Sequence, residues 1–167
     1  GPSSNVTLHA GELTLGLVPP EDLRFHIRQA VELAGAKRIG HGTGVAWEDD
    51  SVGLMKQLAQ RKILVEINPT SNEQILGVAG KDHPFPVYRR MGVPIALSTD
   101  DPGVSRIDLS HEYQRIARDY GLGYRDLKTL APTGQTTRVT RSIRSVMEEL
   151  QGERLAGVLV LTGGRDT

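Results

Sequence analysis

The chain has no cysteine among its 167 residues. This absence excludes disulfides, thiolate metal sites and cysteine nucleophiles, and it leaves the redox compartment undetermined. No apolar run approaches the roughly 20 residues of a membrane-spanning helix, and the N-terminus has no signal-peptide core. We therefore expect no membrane association and a cytoplasmic location.

An excess of charge of one sign is also lacking, because 20 Lys and Arg residues balance 20 Asp and Glu residues. Such a surface creates no long-range field that would attract nucleic acid or an anionic membrane, so we expect neither as a partner. The length and the 38% hydrophobic content are typical of one globular domain. Residues 1–4, Gly-Pro-Ser-Ser, are similar to the remnant of a cleaved tag and are left out of the fold prediction.

The sequence does contain an alternation of short apolar strands and amphipathic helices. Strands are predicted at 6–8, 38–41, 63–67 and 94–98, with a helix over 23–34 after the first of them. Asp49 and Asp50 offer N-caps for the second helix. Apolar strands alternating with helices predict an α/β fold, a parallel sheet covered by helices. This pattern fits an open doubly wound sheet and part of a (β/α)8 barrel equally well.

All four predicted strands end in polar residues or are directly followed by them. In chain order they are His9 and Glu12, then His41, then Asn68, Thr70, Ser71 and Asn72, and finally Asp100 and Asp101. The carboxyl ends of parallel strands share one face of the sheet, where ligands bind. Two histidines, a glutamate and an aspartate pair on one rim are typical of a metal-dependent hydrolase.

Each signal also has an ordinary structural interpretation. Segments 68–72 and 100–103 are each typical of a turn when taken alone. We assign structural roles to His26, His83 and His111, which lie within predicted helices or in a loop.

Four ordered segments carry a resemblance to a known family: His-Ala-Gly-Glu (9–12), Arg-Ile-Gly-His-Gly (38–42), Glu-Ile-Asn-Pro-Thr-Ser-Asn (66–72) and Ser-Thr-Asp-Asp-Pro (98–102). In order and spacing they resemble the later motifs of adenosine deaminase, whose family adopts an amidohydrolase-like (β/α)8 barrel. The resemblance extends from about residue 5 to 131. It implies the parallel sheet of the second half of a (β/α)8 (TIM) barrel; an open five-stranded doubly wound sheet is the alternative.

The resemblance implies zinc as the cofactor and a purine nucleoside as the substrate. His9 and Asp100 would be zinc ligands. Glu12 would shuttle a proton to the purine ring nitrogen, and His41 would orient and electrostatically stabilise the attacking water. The reaction would be hydrolytic deamination with release of ammonia.

The resemblance also implies contacts to the base. Asp101 would hydrogen-bond the purine, and Gly11 would offer its backbone N–H.

Two departures from the family pattern bear on activity. The family takes two further zinc ligands from a His-x-His motif on its first strand, and none of the five histidines here forms one. Residues 132–167 no longer resemble the family; they are distantly similar to an early helix–strand unit of enoyl-CoA hydratase-like proteins. We expect one helix there and a strand over 155–162, packed into the same domain.

These departures favour a fragment or chimera, natural or engineered, that is catalytically inactive as given. Exposed strand edges predict self-association, with a homodimer favoured. The alternatives are an active deaminase completed by another chain and a weak purine-binding module.

Overall fold

Four short strands form one parallel sheet in the computed structural model, which describes residues 5–130. The strands are β1 (Thr7–Ala10), β2 (Arg38–His41), β3 (Leu64–Ile67) and β4 (Ile95–Leu97). They are hydrogen-bonded in chain order, and every neighbouring pair is parallel. The four predicted strands are confirmed. The strand predicted over 155–162 lies outside the described residues.

The strand order separates the two architectures that the sequence left open. A doubly wound sheet reverses its strand order and carries helices on both faces. Here the order β1-β2-β3-β4 does not reverse, and one row across the sheet packs into the helical core: Leu8, Ile39, Val65 and Ile95. The opposite face includes the exposed Thr7 and His9. The sheet is therefore part of a (β/α)8 barrel, with its helices on the outer face.

Seven α-helices connect and cover these strands within residues 5–130. They are α1 (His26–Glu32), α2 (Ser51–Gln60), α3 (Pro69–Leu76), α4 (Phe85–Arg90), α5 (Pro102–Ser105), α6 (Leu109–Tyr120) and α7 (Tyr124–Thr129). Short 3-10 helices lie at Pro20–Leu23, Thr43–Trp47 and Gly80–Asp82. None of the helices in this part of the chain is long and apolar enough to cross a membrane.

The first predicted helix is divided in the structure. The expected single helix over 23–34 is a 3-10 turn ending at Leu23, followed by α1. The reason is a distant cap: the Ile27 amide donates to Glu48 Oε1 at 2.5 Å, which satisfies a free N–H in the first turn of α1. Local periodicity does not contain this contact, since Glu48 follows by 21 residues.

Helix α3 replaces the turn that segment 68–72 suggests when taken alone. Pro69 suits the first helical position, and the Thr70 amide donates to Glu112 Oε2 at 3.2 Å. The turn interpretation is therefore wrong. The first turn of α3 buries Thr70, Ser71 and Asn72, so it lacks the apolar periodicity by which helices are recognised.

Candidate functional site

Three of the predicted site residues meet at the carboxyl ends of β1 and β2. His9, Glu12 and His41 each offer a ligand atom, and these atoms all lie within 4.8 Å of one another. The rings of His9 and His41 meet edge to face, with centroids 4.9 Å apart. The expectation that strand-end residues converge on one rim is confirmed for these three.

Two glycines next to this cluster are closely packed. A Cβ on Gly40 would come within 2.7 Å of His9 Cδ2, so the His9 ring lies where any side chain at position 40 would stand. Gly11 has φ +70°, and a Cβ there would come within 2.7 Å of Ile27 Cδ1. Both positions therefore require glycine for close packing, and Gly11 requires it for its backbone as well.

Asp100 approaches the cluster from the end of β4. Its carboxylate accepts a hydrogen bond from Ser71 Oγ at 2.8 Å, and the same oxygen lies 3.9 Å from His41 Nε2. Asp100 is not one of the three residues that lie within 4.8 Å of one another. Asp100 and His41 both have positive φ values, 54° and 69°. Such strained backbone in non-glycine residues is concentrated at functional sites.

The His41 ring is completely buried, and its two nitrogens have different surroundings. The Nδ1 atom lies 3.2 Å from Asn68 Nδ2 and 3.0 Å from Asn72 Nδ2. The Nε2 atom has no hydrogen-bond partner within residues 5–130, and Glu12 Oε2 lies 3.4 Å away. The ring thus has one nitrogen held by the protein and one directed at the carboxylates.

The protonation equilibria of Glu12 and His41 move in opposite directions. Partial burial and the negative charge of Asp100 raise the pKa of Glu12, Asp101 adds to this, and His9 opposes it. Burial lowers the pKa of His41; Asp100 acts against this and His9 reinforces it. A carboxyl group that holds its proton more tightly beside a neutral imidazole suits acid–base chemistry.

The donor set also suits part of a zinc site. Imidazole nitrogen and carboxylate oxygen are common zinc donors. His9 and Asp100 offer one of each, from the ends of β1 and β4, and the Asp100 carboxylate is held by Ser71. The unpartnered, buried Nε2 of His41 is a further polar group that a ligand in the site could satisfy.

The two residues predicted to hold the base have different positions. Gly11 is buried behind the cluster, and its carbonyl accepts from the Gly44 amide at 2.7 Å. Asp101 is exposed at the start of α5, close enough to contribute to the raised pKa of Glu12. Their contacts with a purine stay predictions.

Sequence reasoning assigned His83 a structural role and did not identify what it contacts. His83 is buried, and its Nε2 lies 3.0 Å from Asn72 Oδ1, so it connects to His41 through one side chain. A usable signal was present: His83 precedes Pro84 and Phe85 at the beginning of α4, where a helix has free N–H groups to bond.

The family model that describes adenosine deaminase matches residues 3–148. The chain belongs to the adenosine deaminase family. The adenosine deaminase of Shewanella loihica is 39% identical over 130 residues, which are 77% of this chain and 36% of that protein. The chain thus spans about a third of the length of the curated relatives it matches. The match of the family model also extends past residue 131, where the resemblance to the later motifs ends.

Solved structures of an amidohydrolase and of a deaminase share the fold. An amidohydrolase from Burkholderia ambifaria with bound Zn superposes with a TM-score of 0.63 at 21% identity, over 89% of this chain and 43% of that chain. The N6-methyl-AMP deaminase of Arabidopsis thaliana gives a TM-score of 0.60 at 28% identity, over 90% of this chain and 42% of that one. The matched part of this adenosine deaminase family member therefore corresponds to less than half of such a structure.

Proposed function

We propose that this chain supplies one half of the active site of a zinc-dependent purine deaminase. The reaction is hydrolytic deamination of adenosine or a related purine to the inosine-type product, with release of ammonia. The observation that carries the proposal is the cluster of His9, Glu12 and His41 at the ends of β1 and β2, in a chain of this family.

His9 and Asp100 would hold the zinc ion. When bound there, zinc would lower the pKa of a water molecule towards neutrality and so supply a nucleophile at physiological pH. His9 is exposed at the end of β1, and the Asp100 carboxylate is fixed by Ser71, so both have ligand atoms available on the rim.

Glu12 and His41 would carry out the proton chemistry. Glu12 donates a proton to the purine ring nitrogen and recovers one from the attacking water, which its raised pKa favours. His41 Nε2 lies 3.4 Å from Glu12 and would orient the water from the same side of the site as Glu12. Asp101 and the Gly11 amide would bind the base.

The chain alone would be catalytically silent and would self-associate. His9 and Asp100 are two ligands, whereas catalytic zinc sites take three from the protein, and the sequence has no His-x-His motif. Within residues 5–130, β1 and β4 each pair on one side only. Such edges favour pairing with a second copy, and a homodimer is the simplest assembly.

The test is an adenosine deamination assay of the full chain with added zinc, monitored by ultraviolet absorbance, together with light scattering of the same sample. We expect no turnover and a dimeric or larger mass. Turnover that Glu12→Gln abolishes, and that the exposed control Glu21→Gln retains, would contradict the silent chain and support an enzyme completed by a second copy. A monomer that binds adenosine without turnover would support a purine-binding module instead.

A further inference from the structure

A chain of hydrogen bonds connects the backbone of α4 to His41 through two buried side chains. The Phe85 amide lies 3.1 Å from His83 Nδ1, and His83 Nε2 lies 3.0 Å from Asn72 Oδ1. Asn72 Nδ2 then lies 3.0 Å from His41 Nδ1. His83 and Asn72 are 4% and 0% exposed, so water does not compete for these bonds.

The first hydrogen bond fixes which atoms donate and which accept in the bonds that follow. A backbone amide can donate but cannot accept, so His83 Nδ1 is an acceptor and carries no hydrogen. Burial, with a smaller contribution from Arg115, lowers the pKa of His83 to about 4, which keeps the ring neutral near pH 7. A neutral imidazole has one N–H, and in His83 it must therefore be on Nε2.

The second hydrogen bond fixes the orientation of the Asn72 side-chain amide. Since His83 Nε2 donates, it requires an acceptor, and the only acceptor of the Asn72 side chain is Oδ1. The amide nitrogen of Asn72 then faces His41 and donates to Nδ1. Asn68 Nδ2, at 3.2 Å, approaches the same atom from β3 and acts in the same direction.

The third bond fixes the tautomer of His41. An Nδ1 atom that accepts leaves the hydrogen of the neutral ring on Nε2, the nitrogen that faces Glu12 and Asp100 at 3.4 and 3.9 Å. We propose that His83 is a positioning residue in a relay of hydrogen bonds. The Phe85 amide fixes which nitrogen of His83 donates, His83 fixes the orientation of the Asn72 amide, and Asn72 in turn holds the His41 ring as the Nε2–H tautomer. Its catalytic consequence rests on the proposed function, because only there does His41 orient the attacking water.

The tautomer decides what His41 can do in the site. A ring with hydrogen on Nε2 can donate to a carboxylate or water oxygen on the Glu12 side and has no lone pair there for a metal ion. The opposite tautomer would present a lone pair to the carboxylates and to any water oxygen, and it would leave the Asn72 amide facing an N–H. The relay therefore assigns His41 to orientation and leaves metal binding to its neighbours.

The experiment is long-range 1H–15N correlation NMR on the full chain with 15N-labelled histidine at neutral pH. In the wild type, both His41 and His83 should show an unprotonated Nδ1 and a protonated Nε2. A protonated Nδ1 on either ring overturns the proposal without any variant. This readout does not depend on turnover, so an inactive chain with the expected tautomers contradicts an active enzyme and still supports the relay.

Two substitutions of His83 then test its role. His83→Leu removes the donor to Asn72, so Asn72 can reverse. The Asn68 amide does not fix the direction by itself, because its Oδ1 has no hydrogen-bond partner within residues 5–130. His41 should therefore lose its single tautomer, with a shift of Nδ1 towards the protonated range. His83→Gln restores a donor and should restore the wild-type pattern. The control His26→Gln, on α1, should leave the His41 signals in place. An unchanged His41 in a folded His83→Leu variant would overturn the proposal.

Discussion

The two histidines of the candidate site are held in very different ways. His41 is completely buried and has two side-chain amides against its Nδ1, whereas His9 is exposed and rests on a glycine of the neighbouring strand. The residues that support His41 are Asn68 directly after β3, Asn72 on α3 and His83 in the loop before α4. The difference shows that buried side chains of this chain hold the His41 ring in place, whereas His9 is held only by packing at the exposed rim.

The largest expected effect is a loss of folding stability at low pH, caused by protonation of His83, which supports His41 through Asn72. The pKa of His83 is about 4 in the folded chain against 6.5 for the free side chain, so the unfolded state binds more protons below pH 6.5. Stability should therefore fall as the pH drops from about 6.5 to about 4 and level off below that range. The loss attributable to His83 is about 3 kcal/mol by the usual conversion of pKa shifts.

The measurement is urea unfolding of the wild type and His83→Gln at several pH values. The difference between the two free energies isolates His83 from the other titrating groups. We expect the wild type to lose about 3 kcal/mol more than the variant over this pH range. A difference that stays constant with pH would show that His83 is not held neutral in the folded chain.

A smaller effect is expected from Asn72→Ala. The change leaves His83 Nε2 without its acceptor and removes one of the two donors to His41 Nδ1, both in buried positions. Leaving such groups unpaired should reduce the free energy of unfolding by about 2 kcal/mol. Asn5→Ala, at an exposed position, is the matched control and should change it by less than about 0.5 kcal/mol. Equal losses in the two variants would contradict the hydrogen bonds that Asn72 makes to His41 and His83.

The smallest effect on stability is expected from His9→Ala. His9 is exposed, so its truncation should change the free energy of unfolding by less than about 0.5 kcal/mol. The same change should weaken zinc uptake, which a competition titration with a coloured chelator measures. A stability loss as large as that of Asn72→Ala would mean that His9 contributes as much to folding stability as the buried contacts around His41.

The fold and the meeting of His9, Glu12 and His41 could be predicted from the sequence, whereas the hydrogen bonds that support His41 could not. Strand β2 was predicted at its observed residues, and His9, Glu12 and His41 follow from the rule that parallel strands end on one face. Local patterns carried this information. A local signal places His83 at the beginning of α4, but local patterns do not contain the contacts that connect it to the site. Asn72 lies 31 residues from His41, and His83 lies 11 residues from Asn72.

Helix α3 is a second feature that local sequence patterns did not predict. Its first turn is buried against polar partners, with Ser71 on Asp100 and the Thr70 amide on Glu112. A buried face of this kind has no apolar repeat, so the sequence suggested a turn. The site was therefore least predictable where the fold uses polar rather than apolar contacts to place residues.

The most direct test of the account is the zinc content of the full chain after exhaustive dialysis, measured by elemental analysis. His9 and Asp100 provide fewer ligands than a catalytic zinc site requires, so we predict well under one zinc per chain. A value near one zinc per chain, lost on His9→Ala, would contradict the account. It would mean that this chain or its assembly builds a complete metal site.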